Sequence, residues 1–330
     1  MRRRDILLGA PLLGGVLTSR SVLAEETLAV GCLFHGNPSD LFHLIRYHTL
    51  PLRRSLCQAG WCGAQEVKLI VRADESAEAL AEAAADLARS DVKVIIAAGI
   101  AAARAAKQAT ARIPIVFYNA TDPVAHGLVA SLSRPEGNVT GFALMDETTP
   151  KLLEFIRQIK PEAKQVAYLF DPSGIPEDVR ARKAAENASA AASLELRYRE
   201  LPVRSLVEIE AAIPEAKAQG ADALVVEGST ILLTNRFVVT RLIVQSALPA
   251  IYRDRQFAVA EGLISYGEDL LDLQRRAVVY VDRLLRGTRV SDLPVQQAST
   301  FELVVNLRTA KVLGLAIPPA ILARADEIIE

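Results

Sequence analysis

Short runs of β-branched and apolar residues recur along this chain, each followed by a longer stretch rich in alanine, glutamate and leucine at helical spacing. Residues 92–98 are the plainest case, an unbroken apolar run of the kind a strand shows when both its faces are covered. Residues 113–117 form another, with Pro114 close to its start. Between them 100–110 reads as a helix, and so does 76–90, with Ser76 as N-cap. Upstream, 27–34 and 66–71 read as strands and 41–60 as a helix. Downstream, strands over 165–170, 194–198, 221–226, 249–252 and 263–266 alternate with helices over 151–159, 176–192, 205–219 and 232–245. Strand–helix–strand repetition predicts an α/β fold of parallel sheets with right-handed crossovers and helices on both faces.

About ten strands are more than one twisted open sheet usually holds, and 330 residues are enough for two cores. Two Rossmann-like lobes are therefore expected. The turn-rich stretch 134–146, with Pro135, Gly137 and Gly141, is the natural boundary. Ligands bind beyond the carboxyl ends of parallel strands. The loops 34–40, 72–76, 99–101, 118–123, 171–176, 227–231, 252–256 and 266–268 are thus expected to converge on one cleft.

The first residues read as a signal rather than as part of a fold. Arg2, Arg3 and Arg4 precede an apolar stretch from Ile6 to Leu17, and Val22-Leu23-Ala24 offers a cleavage site. Arg3-Arg4-Asp5-Ile6-Leu7 is similar to a twin-arginine export signal, with Ile6 where phenylalanine is usual. A signal peptide over 1–24, cleaved after about Ala24, predicts export to the periplasm. Its removal takes away four arginines and one aspartate, moving the formal charge from −1 to −4. A mildly acidic chain has no electrostatic footprint for nucleic acid or an anionic membrane.

Cys32, Cys57 and Cys62 make no C-x-x-C spacing, which argues against zinc or thioredoxin chemistry. Cys32 reads as a buried strand residue. Cys57 and Cys62 either pair in an oxidising compartment or stay as thiols, a matter of geometry. His35, His43, His48 and His126 lack the ligand count and spacing that a metal needs. There is no P-loop, G-x-S-x-G, H-E-x-x-H or G-x-G-x-x-G. The chain is expected to bind rather than catalyse, with no cofactor and no metal.

Several stretches carry a family resemblance: Ile113-Pro114-Ile115-Val116-Phe117, Asp122-Pro123-Val124, Gly137-Asn138-Val139-Thr140-Gly141, Leu248-Pro249-Ala250-Ile251-Tyr252, Gly262-Leu263-Ile264-Ser265-Tyr266-Gly267, Phe301-Glu302-Leu303-Val304-Val305-Asn306 and Ala323-Arg324-Ala325-Asp326-Glu327. Together these resemble the tryptophan/tyrosine-type substrate-binding proteins of bacterial ABC transporters. The resemblance implies a type I periplasmic-binding fold, with two lobes joined by a three-segment hinge. It sets the N-terminal lobe at 25–143 plus about 266–294 and the C-terminal lobe at 144–265 plus about 295–330. It also implies a small-molecule ligand, with an amino acid or related carboxylate as the guess, and an ABC permease in the inner membrane as partner of a monomeric protein. A sensor presenting its ligand to a receptor kinase or chemoreceptor would use the same fold. Residues 34–64, including His35, His48 and Trp61, depart from the family pattern, and so does Glu227-Gly228-Ser229.

The cleft candidates follow from the strand ends. Gly99, Ile100 and Ala101 open a helix whose backbone N–H groups can hold an anion, or they form an ordinary strand–helix turn. Asn119 can hydrogen-bond a ligand. Asp122 either does so or caps a short helix over 123–131. Asp171 with Ser173, and Glu227, offer partners for an ammonium group, Glu227 being favoured; Asp171 also suits a turn. Arg253 can clasp a carboxylate in two-pronged fashion or form a surface pair with Asp254. Tyr252 and Tyr266 can line the cleft, with Gly267 absorbing hinge rotation. His35 completes the set from the first cleft loop.

Overall fold

The computed structural model describes residues 28–330 except 37, 40, 42, 43, 64, 75, 146, 147 and 174–176. The expected signal segment and His43 lie outside the described residues. In chain order the strands are β1 (Ala29–His35), β2 (Lys68–Asp74), β3 (Val94–Ala98), β4 (Ile115–Thr121), β5 (Val139–Leu144), β6 (Gln165–Phe170), β7 (Arg197–Pro202), β8 (Ala223–Val226), β9 (Ala250–Tyr252), β10 (Ile264–Glu268), β11 (Gln296–Gln297), β12 (Phe301–Asn306) and β13 (Glu327–Ile329). They form a six-stranded sheet, β11-β5-β4-β3-β1-β2, and a seven-stranded sheet, β13-β12-β10-β9-β8-β6-β7.

Each sheet is covered on both faces, and the side-chain period of two sorts its residues. In the first sheet Val30, Cys32, Phe34, Val94 and Ile96 join one core, while Ala29, Leu33, Ile95 and Ala97 join the other. In the second, Val166, Tyr168 and Phe170 face one way, and Ala167 and Leu169 the other. Continuous apolar strands follow from this double burial. Ser76 caps helix Ala77–Arg89 by accepting from the Ala79 N–H, as expected from its side chain.

The chain passes between the sheets three times. It leaves β5 for helix Thr149–Ile159, leaves β10 for helix Leu270–Leu285, which packs on the first sheet, and leaves β11 for β12. Two of the crossings touch: the Asp269 N–H donates to the Thr300 carbonyl at 3.0 Å. By strand pairing the later crossings fall after 268 and after 297.

Some local expectations give way. The stretch 134–146 also contains β5, with Gly137 before the strand and Gly141 inside it, and the first crossing follows directly. Helix 232–245 breaks at Asn235 into Thr230–Thr234 and Arg236–Gln245. No helix forms over 123–131; the backbone there turns, with Asp122 at φ 41° accepting from the Ala125 N–H. One pairing, β10 with β12, is antiparallel. Residues 41–60 are helical only in part, as a π-helix over Leu44–Thr49 running into an α-helix over Leu50–Gln58. Cys57 and Cys62 are joined in a disulfide beside the end of that helix. Cys32 is fully buried and its thiol is pushed up to about 12 by loss of solvent. Trp61 is structural, donating from its indole to Asp282 at 2.8 Å.

Candidate functional site

Both sheets reverse their strand order once among the parallel strands: between β1 and β3 in the first, and between β6 and β8 in the second. At such a switch point the flanking loops turn to opposite faces and leave a crevice beyond the strand ends. Here the two crevices meet in a cavity of about 310 Å³. That is near the lower end of ligand sites, which span roughly 300–1,000 Å³, and fits one small organic molecule.

The first sheet contributes the end of β1, with His35 and Gly36, and the end of β3, with Gly99, Ile100 and Ala101. Gly99 lies at φ 87°, ψ 165°, a conformation open in practice only to glycine. It turns the chain directly into helix Ile100–Ala109, so that the first residues of the helix, whose N–H groups have no partner within it, line the cavity. A slip in the β4–β5 register between Phe117 and Ala120 releases Asn119 from the ladder at φ 58°. Such a bulge re-aims one side chain, and Asn119 lines the cavity.

The second sheet contributes Asp171 and Ser173 after β6, Glu227 to Thr230 after β8, and Arg253, Asp254 and Gln256 after β9. Burial pushes the Glu227 carboxyl above the usual range, against the pull of the Arg253 charge and a backbone hydrogen bond from Asp171. Asp171 also accepts from the Ser173 N–H at 2.8 Å, the turn role open to it from sequence. Asp254 is 6% exposed and is pushed up to about 6, chiefly by burial. It caps helix Arg255–Val259 through the Gln256 N–H. The Ser229 hydroxyl and the Gln256 side-chain oxygen are buried without a protein partner. Orphaned polar atoms of this kind in a cavity wall mark a place where a ligand or water completes the bonding.

Of the residues singled out from sequence, His35, Gly99, Ile100, Ala101, Asn119, Asp171, Ser173, Glu227 and Arg253 line this cavity. Three do not. Tyr252 is fully buried and stacks on Phe257, because it is the last residue of β9 and its side chain falls on the core face. Tyr266 stacks on Phe301 and meets Phe155 edge-on. Asp122 sits in its turn and reaches Arg182 of the second half at 3.4 Å. Arg253 and Asp254 are not a surface pair either, since both are buried.

Other lining residues were not among the strand-end candidates. His48 rides on the π-helix, one turn from Leu44, and both line the cavity. Its ring stacks on Phe34 at 4.5 Å. Its Nδ1 lies 2.8 Å from the Tyr118 hydroxyl. That hydroxyl accepts from the Gln274 side-chain N–H at 3.1 Å. Tyr168 and Phe170, on the inward face of β6, supply aromatic surface from the second half.

The family model for ABC transporter substrate binding proteins matches residues 53–329. The chain belongs to this family. Among curated proteins, a tyrosine-binding protein of Clostridioides difficile (strain R20291) is 27% identical over 230 residues, which cover 68% of this chain and 64% of that protein. The match thus spans a little under two thirds of that relative's length. Among solved structures, an ABC domain from Streptococcus pneumonia in complex with L-Trp superposes with a TM-score of 0.80 at 24% identity, over 92% of this chain and 100% of the other. A conserved domain protein from Vibrio cholerae superposes at 0.82 with 22% identity, over 92% and 100%. At these identities the likeness establishes the fold, which is the type I periplasmic-binding fold. In a substrate-binding protein of this architecture the cavity lies where both sheets end. Among the described residues no helix is long and apolar enough to cross a membrane, and no group of three or more His, Cys, Asp or Glu side chains is arranged to hold a metal ion.

Proposed function

We propose that this chain is the periplasmic solute-binding component of an ABC importer. It takes an amino acid, or a related carboxylate, between its two lobes and delivers it to a permease in the inner membrane without chemical turnover. The observation that carries this reading is the pairing of unlike walls: the helix start at Gly99–Ala101 on one side, and the half-buried Glu227 carboxyl on the other. An α-amino acid presents a carboxylate to the first and an ammonium group to the second. The tyrosine-binding relative and the L-Trp complex support the same ligand class. Because the ligand touches both lobes, its binding free energy favours the closed arrangement. Two rim contacts between the halves fit that closure: Thr230 with His35 at 3.3 Å and Arg182 with Asp122 at 3.4 Å.

A thermal-unfolding screen of residues 25–330 against amino acids, sugars, nucleosides and simple carboxylates tests the reading. A ligand at a hundred times its dissociation constant adds about 2.7 kcal/mol. Stabilisation by aromatic or branched amino acids is expected. Stabilisation by uncharged sugars or nucleosides alone would contradict it.

A further inference from the structure

Among the described residues, Arg253 is the least exposed cation of the cavity wall, and its surroundings differ from those of a ligand clamp. Its guanidinium lies 3.7 Å from Glu268 Oε1, with the two side chains 10% and 3% exposed. It donates to the Met145 carbonyl at 3.3 Å, and the Met145 N–H donates to the same Glu268 oxygen at 3.1 Å. Arg253, Glu268 and the backbone of Met145 thus close a triangle. Met145 directly follows β5, at the first crossing, and Glu268 ends β10, at the second. The backbone of Arg253 is pressed against the same place: a Cβ on Gly267 would sit 1.8 Å from the Arg253 carbonyl oxygen, so only glycine allows the approach. On its other side Arg253 stands next to Glu227: the two follow the paired ends of β9 and β8, with the Arg253 N–H donating to the Val226 carbonyl at 3.0 Å, and both line the cavity, where the Arg253 charge pulls on Glu227.

We propose that Arg253 is a positioning residue that couples occupancy of Glu227 to the geometry of the interlobe crossings, rather than a group that clasps the ligand's carboxylate. The proposal rests on the amino-acid reading only in naming what occupies Glu227. A guanidinium has five donors to share. While Glu227 is ionised and empty, it draws on the Arg253 charge. An ammonium group arriving at Glu227 satisfies that carboxylate and repels the guanidinium in a site of low dielectric. Arg253 is then committed to Glu268 and the Met145 carbonyl, and the two crossings are drawn together. By linkage, the tightened crossings favour the ligand to the same extent.

Hydrogen exchange at the Met145 amide tests this without any ligand. Glu227→Gln imitates a neutralised carboxylate, and is expected to slow Met145 exchange about threefold to tenfold, the worth of one hydrogen bond. In an Arg253→Met background the same change should have no effect; Arg253→Lys, which keeps the charge, guards against a variant that fails to fold. A second arm uses L-tyrosine as probe. The charges that act on Glu227 are Arg253, Lys183 and Asp171. Losing Arg253 alone lifts the Glu227 carboxyl further, so the pH below which L-tyrosine binding fails should rise in Arg253→Met. The affinity ratio between L-tyrosine and its amide should stay unchanged. Met145 exchange indifferent to Glu227→Gln overturns the proposal, and so does a tyrosine-to-amide ratio that collapses in Arg253→Met. If L-tyrosine does not bind the unsubstituted protein, the amino-acid reading is at fault, and the exchange cycle still decides the role of Arg253.

Discussion

The two walls of the cavity are built at equivalent switch points yet carry opposite chemistry. Among the described residues, the wall from the first sheet has no carboxylate; it offers the start of helix Ile100–Ala109, Arg104 and the rings of His35, His48 and His126. The wall from the second sheet carries Asp171, Glu186, Glu200, Glu227, Asp254 and Glu268 against Arg180, Lys183 and Arg253. Burial raises the carboxyls of Glu200, Glu227 and Asp254 together. The fold is duplicated; the chemistry is divided. A division of this kind suits a ligand with a negative and a positive end, and neither wall alone can hold it fully.

Removing the acidic partner should break the comparison most. Glu227→Gln is expected to weaken amino-acid binding by ten- to a hundredfold, the worth of a hydrogen bond to a charged group, as read by calorimetry. Its ligand-free stability at neutral pH should not fall, because an ionised Glu227 is disfavoured by burial. Unchanged affinity would remove the ammonium site from the second wall.

Asp254 gives that wall a pH signature. Its folded value of about 6 lies above the ordinary 3.8. The fold therefore bears the full penalty above pH 6 and sheds it as pH falls toward 3.8, where the folded protein takes up a proton earlier than the unfolded chain does. Asp254→Asn keeps the cap. It should raise stability above pH 6 by up to about 3 kcal/mol and flatten the pH dependence in urea titrations. A slope that survives the substitution would point to another group.

The first wall should respond through backbone rather than charge. Gly99→Ala forces a side chain into a glycine-only conformation, costing about 1–3 kcal/mol in thermal unfolding. It should also displace the N–H groups and weaken binding of carboxylate-bearing ligands. Full tolerance of alanine would mean that the helix start is not a binding element.

How far these walls were legible in the sequence follows the same division. The doubly wound lobes are written in the apolar runs, and the switch-point rule then picks out Gly99 and Glu227 at strand ends. Tyr252 misled because strand parity, not position in a loop, decides which face a side chain meets, and parity turns on a single residue. The β5 strand was hidden by glycines that read as turns. His48 stood out only as a departure from the family pattern; its place in the cavity depends on a π-helix that shifts the helical register. Gln256 sits on a five-residue helix, capped by Asp254, that is too short to have a period.

The rim should matter least. Arg182→Ala removes the ion pair with Asp122, whose side chains are 49% and 24% exposed. It should change affinity by less than about 1 kcal/mol and lessen its dependence on salt. Stopped-flow release rates measured at two salt concentrations check this. A large effect would make the rim, rather than the walls, the seat of affinity.

The central claim is that one ligand must satisfy both walls, and half-ligands test it most directly. Calorimetric titration with L-tyrosine, with tyramine, which lacks the carboxylate, and with deaminotyrosine, which lacks the ammonium group, separates the two contributions. The account predicts that the whole amino acid binds at least about tenfold more tightly than either half, since each half leaves one wall's charged hydrogen bond unmade. Equal affinity for L-tyrosine and for either half would contradict it.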